Sequence, residues 1–189
     1  MLLVLAGPSG VGKGTVGRAL LAHEPNLAWS VSATTRAPRP GEVDGVDYHF
    51  VTRAEFERTR AAGGFLEWFE VYGQLKGTPR APVDAALAAG RDVLLEIDVQ
   101  GALAVKDQLP DALLVFLRAP DAATQEARLR DRGTDDDEQL ATRLETARRE
   151  EALAARFDAV VVNDEVDRAV AEVAAILEAR RAGSPPAST

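Results

Sequence analysis

The chain has 189 residues, 46% apolar and 28% charged, which suits one packed domain and excludes a disordered or membrane-embedded protein. Its formal net charge of −8 excludes a general nucleic-acid binder, whose affinity comes from a basic surface. Cysteine is absent and histidine is limited to His23 and His49, which removes disulfides, thiolate chemistry and cysteine- or histidine-rich metal centres.

The first predicted element is a strand at Leu2 to Leu5. Gly7 and Pro8 end that run before it could span a bilayer or form a signal core, so a cytoplasmic protein with no membrane partner is expected. A helical stretch, Val16 to Ala22, follows. Four more short apolar runs recur at Leu27 to Val31, Val93 to Ile97, Leu113 to Leu117 and Val160 to Val162. Continuous rather than alternating runs suit strands buried on both faces, so the expected fold is α/β: a doubly wound parallel sheet of about five strands.

Between Ser32 and Pro82 the pattern breaks into proline, glycine and aromatic residues around one helical stretch, Ala54 to Ala62. That length without a buried parallel strand reads as an inserted subdomain. Thr134 with Asp137 forms a candidate capping box, opening a charged helix whose apolar stripe is only Leu140, Leu144 and Ala147. The last helix carries Val166, Val170, Val173, Ala174 and Leu177 at helical spacing and ends before Gly183. The segment 183–189 is expected to be a disordered tail.

Two places carry chemistry. Gly7, Pro8, Ser9, Gly10, Val11, Gly12, Lys13, Gly14 and Thr15 lie between a strand and a helix, the context of a Walker A loop. Its glycines let backbone N–H groups turn toward an anion, the helix N-terminus adds partial positive charge, and Lys13 reaches the β and γ phosphates. Gly14 stands where Ser or Thr usually supplies a magnesium ligand, and the hydroxyl comes one residue later, at Thr15. The run Val93 to Asp98 ends in Glu96 and Asp98, two acids at i and i+2 that share one strand face. At the open end of a parallel sheet these carboxylates would orient water around Mg²⁺, with Thr15 as the third candidate for the metal.

Arginines concentrate at 36 to 39 and 128 to 149, so the local charge is positive although the overall charge is negative. The chain also carries motifs in order: Ser30 to Arg36, Pro38 to Glu42, Gly45 and Tyr48, Glu67-Trp68, Gly77-Thr78, Ile97 to Gly101, Arg132 to Thr134, and Val162 to Asp164. With them the chain resembles the guanylate kinase family, P-loop nucleoside monophosphate kinases, over nearly its whole length.

The resemblance implies transfer of the ATP γ-phosphoryl group to GMP, with dGMP an expected second acceptor, and Mg²⁺ accompanying ATP. It implies a core at 1–31, 82–118 and 157–182, a GMP-binding insertion at 32–81 and a helical lid at 119–156. Ser32, Arg36, Arg39 and Tyr48 would bind the GMP phosphate. Glu67 and Thr78 would read guanine, the carboxylate accepting from N1 and N2 and the hydroxyl donating to O6; Glu96 and Asp98 would face the same substrate. Arg128, Arg132 and Arg143 match lid arginines that close over ATP, with Lys13, Arg132 and Arg143 as the catalytic cations, and Asn163 would lie near adenine. Where the family carries tyrosine, just before Gly77-Thr78, this chain has Lys76. Two other readings stay open at this level: a scaffold binding phosphopeptides through the same serine and arginines, and a P-loop kinase for another phosphorylated acceptor. Oligomeric state is not legible.

Overall fold

The five apolar runs become one parallel sheet because each is flanked by helices that cover both of its faces. The computed structural model describes residues 1–71, 73–131 and 137–183. In chain order the first elements are β1 (Leu2–Ala6), α1 (Lys13–His23), β2 (Leu27–Trp29), β3 (Ala33–Thr34), β4 (His49–Phe50) and α2 (Arg53–Ala61). Next come β5 (Phe65–Val71), β6 (Gln74–Pro79), α3 (Arg80–Ala88), β7 (Asp92–Ile97), α4 (Val99–Gln108) and β8 (Leu113–Arg118). The chain closes through α5 (Ala122–Asp131), α6 (Asp137–Glu151), a 3-10 turn at Ala154–Arg156, β9 (Ala159–Val162) and α7 (Val166–Arg181).

The main sheet has the order β2-β7-β1-β8-β9, every pair parallel. Alternation along β1 divides the core. Leu2, Val4 and Ala6 pack with Val99, Ala102 and Val105 of α4 on one face; Leu3 and Leu5 pack with Val16 and Leu20 of α1 and Val170, Val173 and Leu177 of α7 on the other. These side chains are almost wholly buried, and at about 25 cal/mol per Å² of apolar surface they dominate the favourable side of folding. The sheet's open carboxyl edge carries the loop after β1 and the acids after β7. Among the described residues no helix is long and apolar enough to cross a membrane.

A second, mixed sheet, β4-β3-β6-β5, lies within residues 33–79. It packs a small core of Ala33, Phe56, Phe65 and Leu75, with the Phe56 and Phe65 rings stacked at 4.3 Å. Helix α2 is fixed at its start by a capping box. Thr52 accepts from the Glu55 backbone N–H, and the Glu55 carboxylate accepts from the Thr52 N–H at 2.8 Å.

Element ends differ from the sequence reading where hydrogen bonding, not apolarity, decides them. The second strand stops at Trp29 rather than Val31, because the chain turns after Ser30 toward β3. Helix α1 begins at Lys13, three residues before its first buried side chain, since the phosphate loop is itself the helix N-terminus. Thr134 and residues 184–189 lie outside the described residues.

Candidate functional site: a cleft between the two sheets

The carboxyl edge of the main sheet and the second sheet face each other across a cleft of about 870 Å³. Gly7, Ser9, Gly10, Gly12, Lys13, Gly14 and Thr15 line one side, Arg36, Arg39, Tyr48 and Lys76 the other, with Glu96 and Asp98 between them and Arg143 and Glu150 of α6 at the rim.

The loop after β1 is a sharp turn that requires glycine. Gly12, the N-cap of α1, has φ 90°, and a Cβ there would lie 2.4 Å from Asn163 Nδ2. A Cβ at Gly7 would meet the Leu117 carbonyl oxygen at 2.1 Å. Lys13 Nζ donates to the carbonyls of Gly7 at 2.6 Å and Pro8 at 3.0 Å, which holds the ammonium over the loop. Burial pushes its pKa below the ordinary lysine value, and the Glu96 carboxylate opposes that fall.

Neighbouring elements brace this loop from behind. Gln125 of α5 donates to the Ser9 carbonyl at 2.8 Å, and Arg143 to Ser9 Oγ at 3.3 Å. Asn163 Nδ2 donates to the Val11 carbonyl at 2.8 Å, and Arg128 donates to the Asn163 carbonyl at 3.0 Å. Asn163 is thus 2% exposed and, like Arg128, Pro8 and Val11, lies behind the cleft surface rather than on it. Its Oδ1 is buried without a hydrogen-bond partner among the described residues.

On the opposite side the Arg36 guanidinium forms a two-pronged pair with Glu42, both contacts at 2.8 Å, and lies over the rings of Tyr48 and Phe50. The hydrogen bonds to Glu42 hold its pKa above the usual arginine value. Glu42 also accepts from the Arg39 N–H at 2.7 Å, so one carboxylate shapes the whole basic turn. Arg18 of α1 pairs with Asp47 and ties the core to this turn.

Glu67 and Thr78 are directly opposite each other in the β5–β6 ladder. Thr78 Oγ1 donates to Glu67 Oε1 at 2.6 Å, and the two residues are 6% and 1% exposed, Glu67 and Thr78 respectively. Ser32 is buried close by, with its carbonyl accepting from the His49 N–H at 2.9 Å. Burial raises the Glu67 pKa to about 7, against the lowering effect of the Thr78 hydroxyl. Asp98 caps α4, accepting from the Gly101 N–H at 2.7 Å, and a Cβ on Gly101 would lie 3.1 Å from Glu67 Oε2. The guanidinium of Arg132 lies outside the described residues.

Glu150 is a cleft residue that motif reading misses, and Lys76, noted in the sequence only as a departure from the family, lines the cleft as well. Glu150 stands seven positions after Arg143 on α6, hence on the same helical face, and that spacing is a signal present in the sequence. Burial raises its pKa to about 7, with Lys13 pulling it down. Lys76 is marked in the sequence by its place just before Gly77-Thr78, and the pairing of β6 with β3 is what turns it inward.

Among the described residues no cluster of three or more Asp, Glu or His could hold a metal ion alone. Thr15, Glu96 and the Asp98 oxygen not used in capping are nevertheless together on the cleft. That donor set fits Mg²⁺, which keeps several waters and is held by one or two carboxylates together with substrate phosphates.

A glycine-rich anion loop and a basic turn facing one cleft describe a phosphate-handling site, and comparison with known proteins assigns its family. The family model described as guanylate kinase matches residues 1–180. The chain belongs to the guanylate kinase family. It is 55% identical over 177 residues to the guanylate kinase of Nocardia farcinica, covering 93% of this chain and 92% of that protein. It is 54% identical over 180 residues to a guanylate kinase of Thermus thermophilus, covering 95% of this chain and 81% of that protein. The crystal structure of guanylate kinase from Anaplasma phagocytophilum superposes with a TM-score of 0.80 at 33% identity, covering 95% of this chain and 85% of that one. A shikimate kinase from Bacteroides thetaiotaomicron, at TM-score 0.52 and 17% identity, shares the fold alone. Membership makes this chain a nucleoside monophosphate kinase, a transferase with the P-loop architecture.

Proposed function

We propose that this protein transfers the γ-phosphoryl group of ATP to GMP, and to dGMP, giving ADP and GDP. The observation that carries the acceptor's identity is the buried Glu67–Thr78 pair, across one cleft from the Lys13 loop. Guanine presents donors at N1 and N2 to a carboxylate and an acceptor at O6 to a hydroxyl, so its binding turns the Thr78 hydroxyl from Glu67 Oε1 toward O6. Adenine has no N1 donor and would leave the buried Glu67 carboxylate unpaired, and such a mismatch rejects an analogue by about 10⁴ or more. Both side chains sit just behind the lining, next to Lys76 of β6 and to Asp98 and Gln100 at the start of α4, which do line the cleft.

In this reading Arg36, Arg39, Tyr48 and Ser32 hold the acceptor phosphate, and Glu42 pre-orients the first of them. Lys13 and the loop N–H groups hold the donor phosphates, with Arg128, Arg132, Arg143 and Asn163 as the closing and adenine-side residues. When bound through Thr15, Glu96 and Asp98 by way of water, Mg²⁺ supplies charge neutralisation at the donor phosphates. A GMP phosphate oxygen attacks the γ phosphorus, the new P–O bond forms in line, and the β–γ bridging bond breaks with its electron pair leaving on ADP. The dianionic acceptor has no proton to surrender, so the chain's contribution is positioning, charge and exclusion of water. The core (1–31, 82–118, 157–182), the insertion (32–81) and the lid (119–156) divide these tasks. ATP as donor fits a cytoplasmic setting.

The test is an ADP-release assay with GMP, dGMP, AMP, CMP and UMP as acceptors. Turnover with GMP and dGMP, and about 10⁴-fold less with AMP, supports the assignment. Preference for another nucleotide, or turnover with none, overturns it.

A further inference from the structure

The turn that carries Arg36, Arg39 and Tyr48 is not held in place by apolar packing. No side chain from Arg36 to Asp47 belongs to an apolar core, and Val43 and Val46 are 55% and 62% exposed. Hydrogen bonds give the turn its shape instead. The Val43 N–H donates to Asp47 Oδ2 at 2.9 Å, the Asp47 N–H donates to the Val43 carbonyl at 3.0 Å, and the Gly45 N–H donates to the Tyr48 carbonyl at 2.8 Å. These bonds are internal to the turn. Its place relative to the phosphate loop needs a contact from outside.

Asp47 supplies that contact with its other oxygen. Oδ1 accepts from the Arg18 guanidinium of α1, and the Asp47 side chain is 17% exposed. Arg18 lies one turn beyond Gly14 and Thr15 on the same face of α1, and all three line the cleft with Asp47. Other polar ties between the insertion and the core run to α4, as from Gln108 Nε2 to the Leu66 carbonyl at 2.8 Å. Among the described residues, Arg18–Asp47 is the pair that joins the acceptor turn to the helix of the phosphate loop. Position passes through it in a short relay: Arg18 fixes Asp47, Asp47 adjoins Tyr48 and closes the turn on Val43, and Glu42 next to Val43 holds Arg36 and the Arg39 N–H.

We propose that Arg18 is a positioning residue of the acceptor site, pre-organising the phosphate-binding turn against the phosphate-loop helix through Asp47. The proposal rests on the GMP kinase reading. A ligand's apparent affinity falls by the fraction of molecules in the competent arrangement, so loss of the pair weakens GMP binding and leaves turnover at saturation in place. The Arg18 side chain is 67% exposed, and a pair so open to water shifts that fraction only a few-fold.

The experiment compares wild type with Arg18→Gln, Arg18→Lys, Asp47→Asn and the double variant of Arg18→Gln with Asp47→Asn. It measures the calorimetric Kd for GMP, the KM for ATP and kcat, with urea midpoints reporting that each variant is folded. Expected are a GMP Kd about fivefold weaker in Arg18→Gln, partial retention by Arg18→Lys, and kcat and the KM for ATP unchanged. Adding Arg18→Gln to Asp47→Asn should weaken GMP binding no further, because the partner is already gone. The same fivefold loss in the Asp47→Asn background would mean that Arg18 acts on the substrate directly. An unchanged Kd in Arg18→Gln would make the pair a surface contact only, and a fall in kcat with Kd intact would move Arg18 to the transfer step. Each of these three results overturns the proposal. Wild-type protein inactive on GMP would remove both readings, whereas active wild type with Arg18→Gln binding GMP equally well removes only this one.

Discussion

Burial acts on Lys13 and Glu67 by one rule, disfavouring charge, and so moves them in opposite directions: the ammonium falls and the carboxyl rises to about 7. For Glu67 the consequence is a pH-dependent acceptor site. Only the ionised form accepts from guanine N1 and N2, and that form is the minor one below pH 7 and the major one above it. The KM for GMP should therefore fall about tenfold between pH 6 and pH 8 and level off beyond, because ionisation of a group at about 7 changes by that factor. Glu67→Gln should abolish that slope and cost about 3 kcal/mol in kcat/KM for GMP, the worth of two hydrogen bonds to a charged group. A slope that persists in the variant would assign the titration to another group. Glu150, also near 7 beside Lys13, should act instead on the KM for ATP. Lys13→Ala should lower kcat by about 3 kcal/mol, more than a hundredfold, in a steady-state assay with folding checked by circular dichroism.

At the scale of elements, Gly12 couples the phosphate loop to β9. Gly12→Ala would strain a φ of 90° and drive a methyl into Asn163 Nδ2, so kcat/KM for ATP should fall by at least about 1–3 kcal/mol. Helix α2 offers the contrasting case. Thr52→Ala removes a capping box that is not part of the cleft lining and should cost about 1 kcal/mol in urea unfolding with kcat intact. The five parallel strands are legible in the sequence because a strand buried on both faces must be apolar throughout. The phosphate loop is legible because its glycines sit between a strand and a helix. Less legible is anything set by pairing. Glu67 in isolation reads as an exposed strand residue, yet the ladder places it against Thr78 and buries it. Asn163 reads as a residue at a strand exit, but its contacts with Val11 and Arg128 put it behind the loop.

Across the whole molecule, the two sheets meet at a cleft whose lining sets six basic residues among six acidic ones, so its charge is balanced in an otherwise acidic protein. The net charge of −8 and the arginine-lined site are compatible because a small phosphorylated substrate responds to the local potential. Helix α6 reaches the phosphate loop through Arg143, and Arg18 joins α1 to the turn of the insertion through Asp47, so both walls are already linked to the core. Binding of both substrates should draw these walls together and reduce the radius of gyration in small-angle scattering with a non-hydrolysable ATP analogue and GMP. An unchanged radius would mean that the cleft is preformed. The most direct measurement is phosphorus NMR of ATP and GMP incubated with the enzyme and Mg²⁺. Paired appearance of the ADP and GDP β-phosphate resonances, in equal amounts and without inorganic phosphate, is the result predicted; release of inorganic phosphate with GMP unconsumed would contradict it.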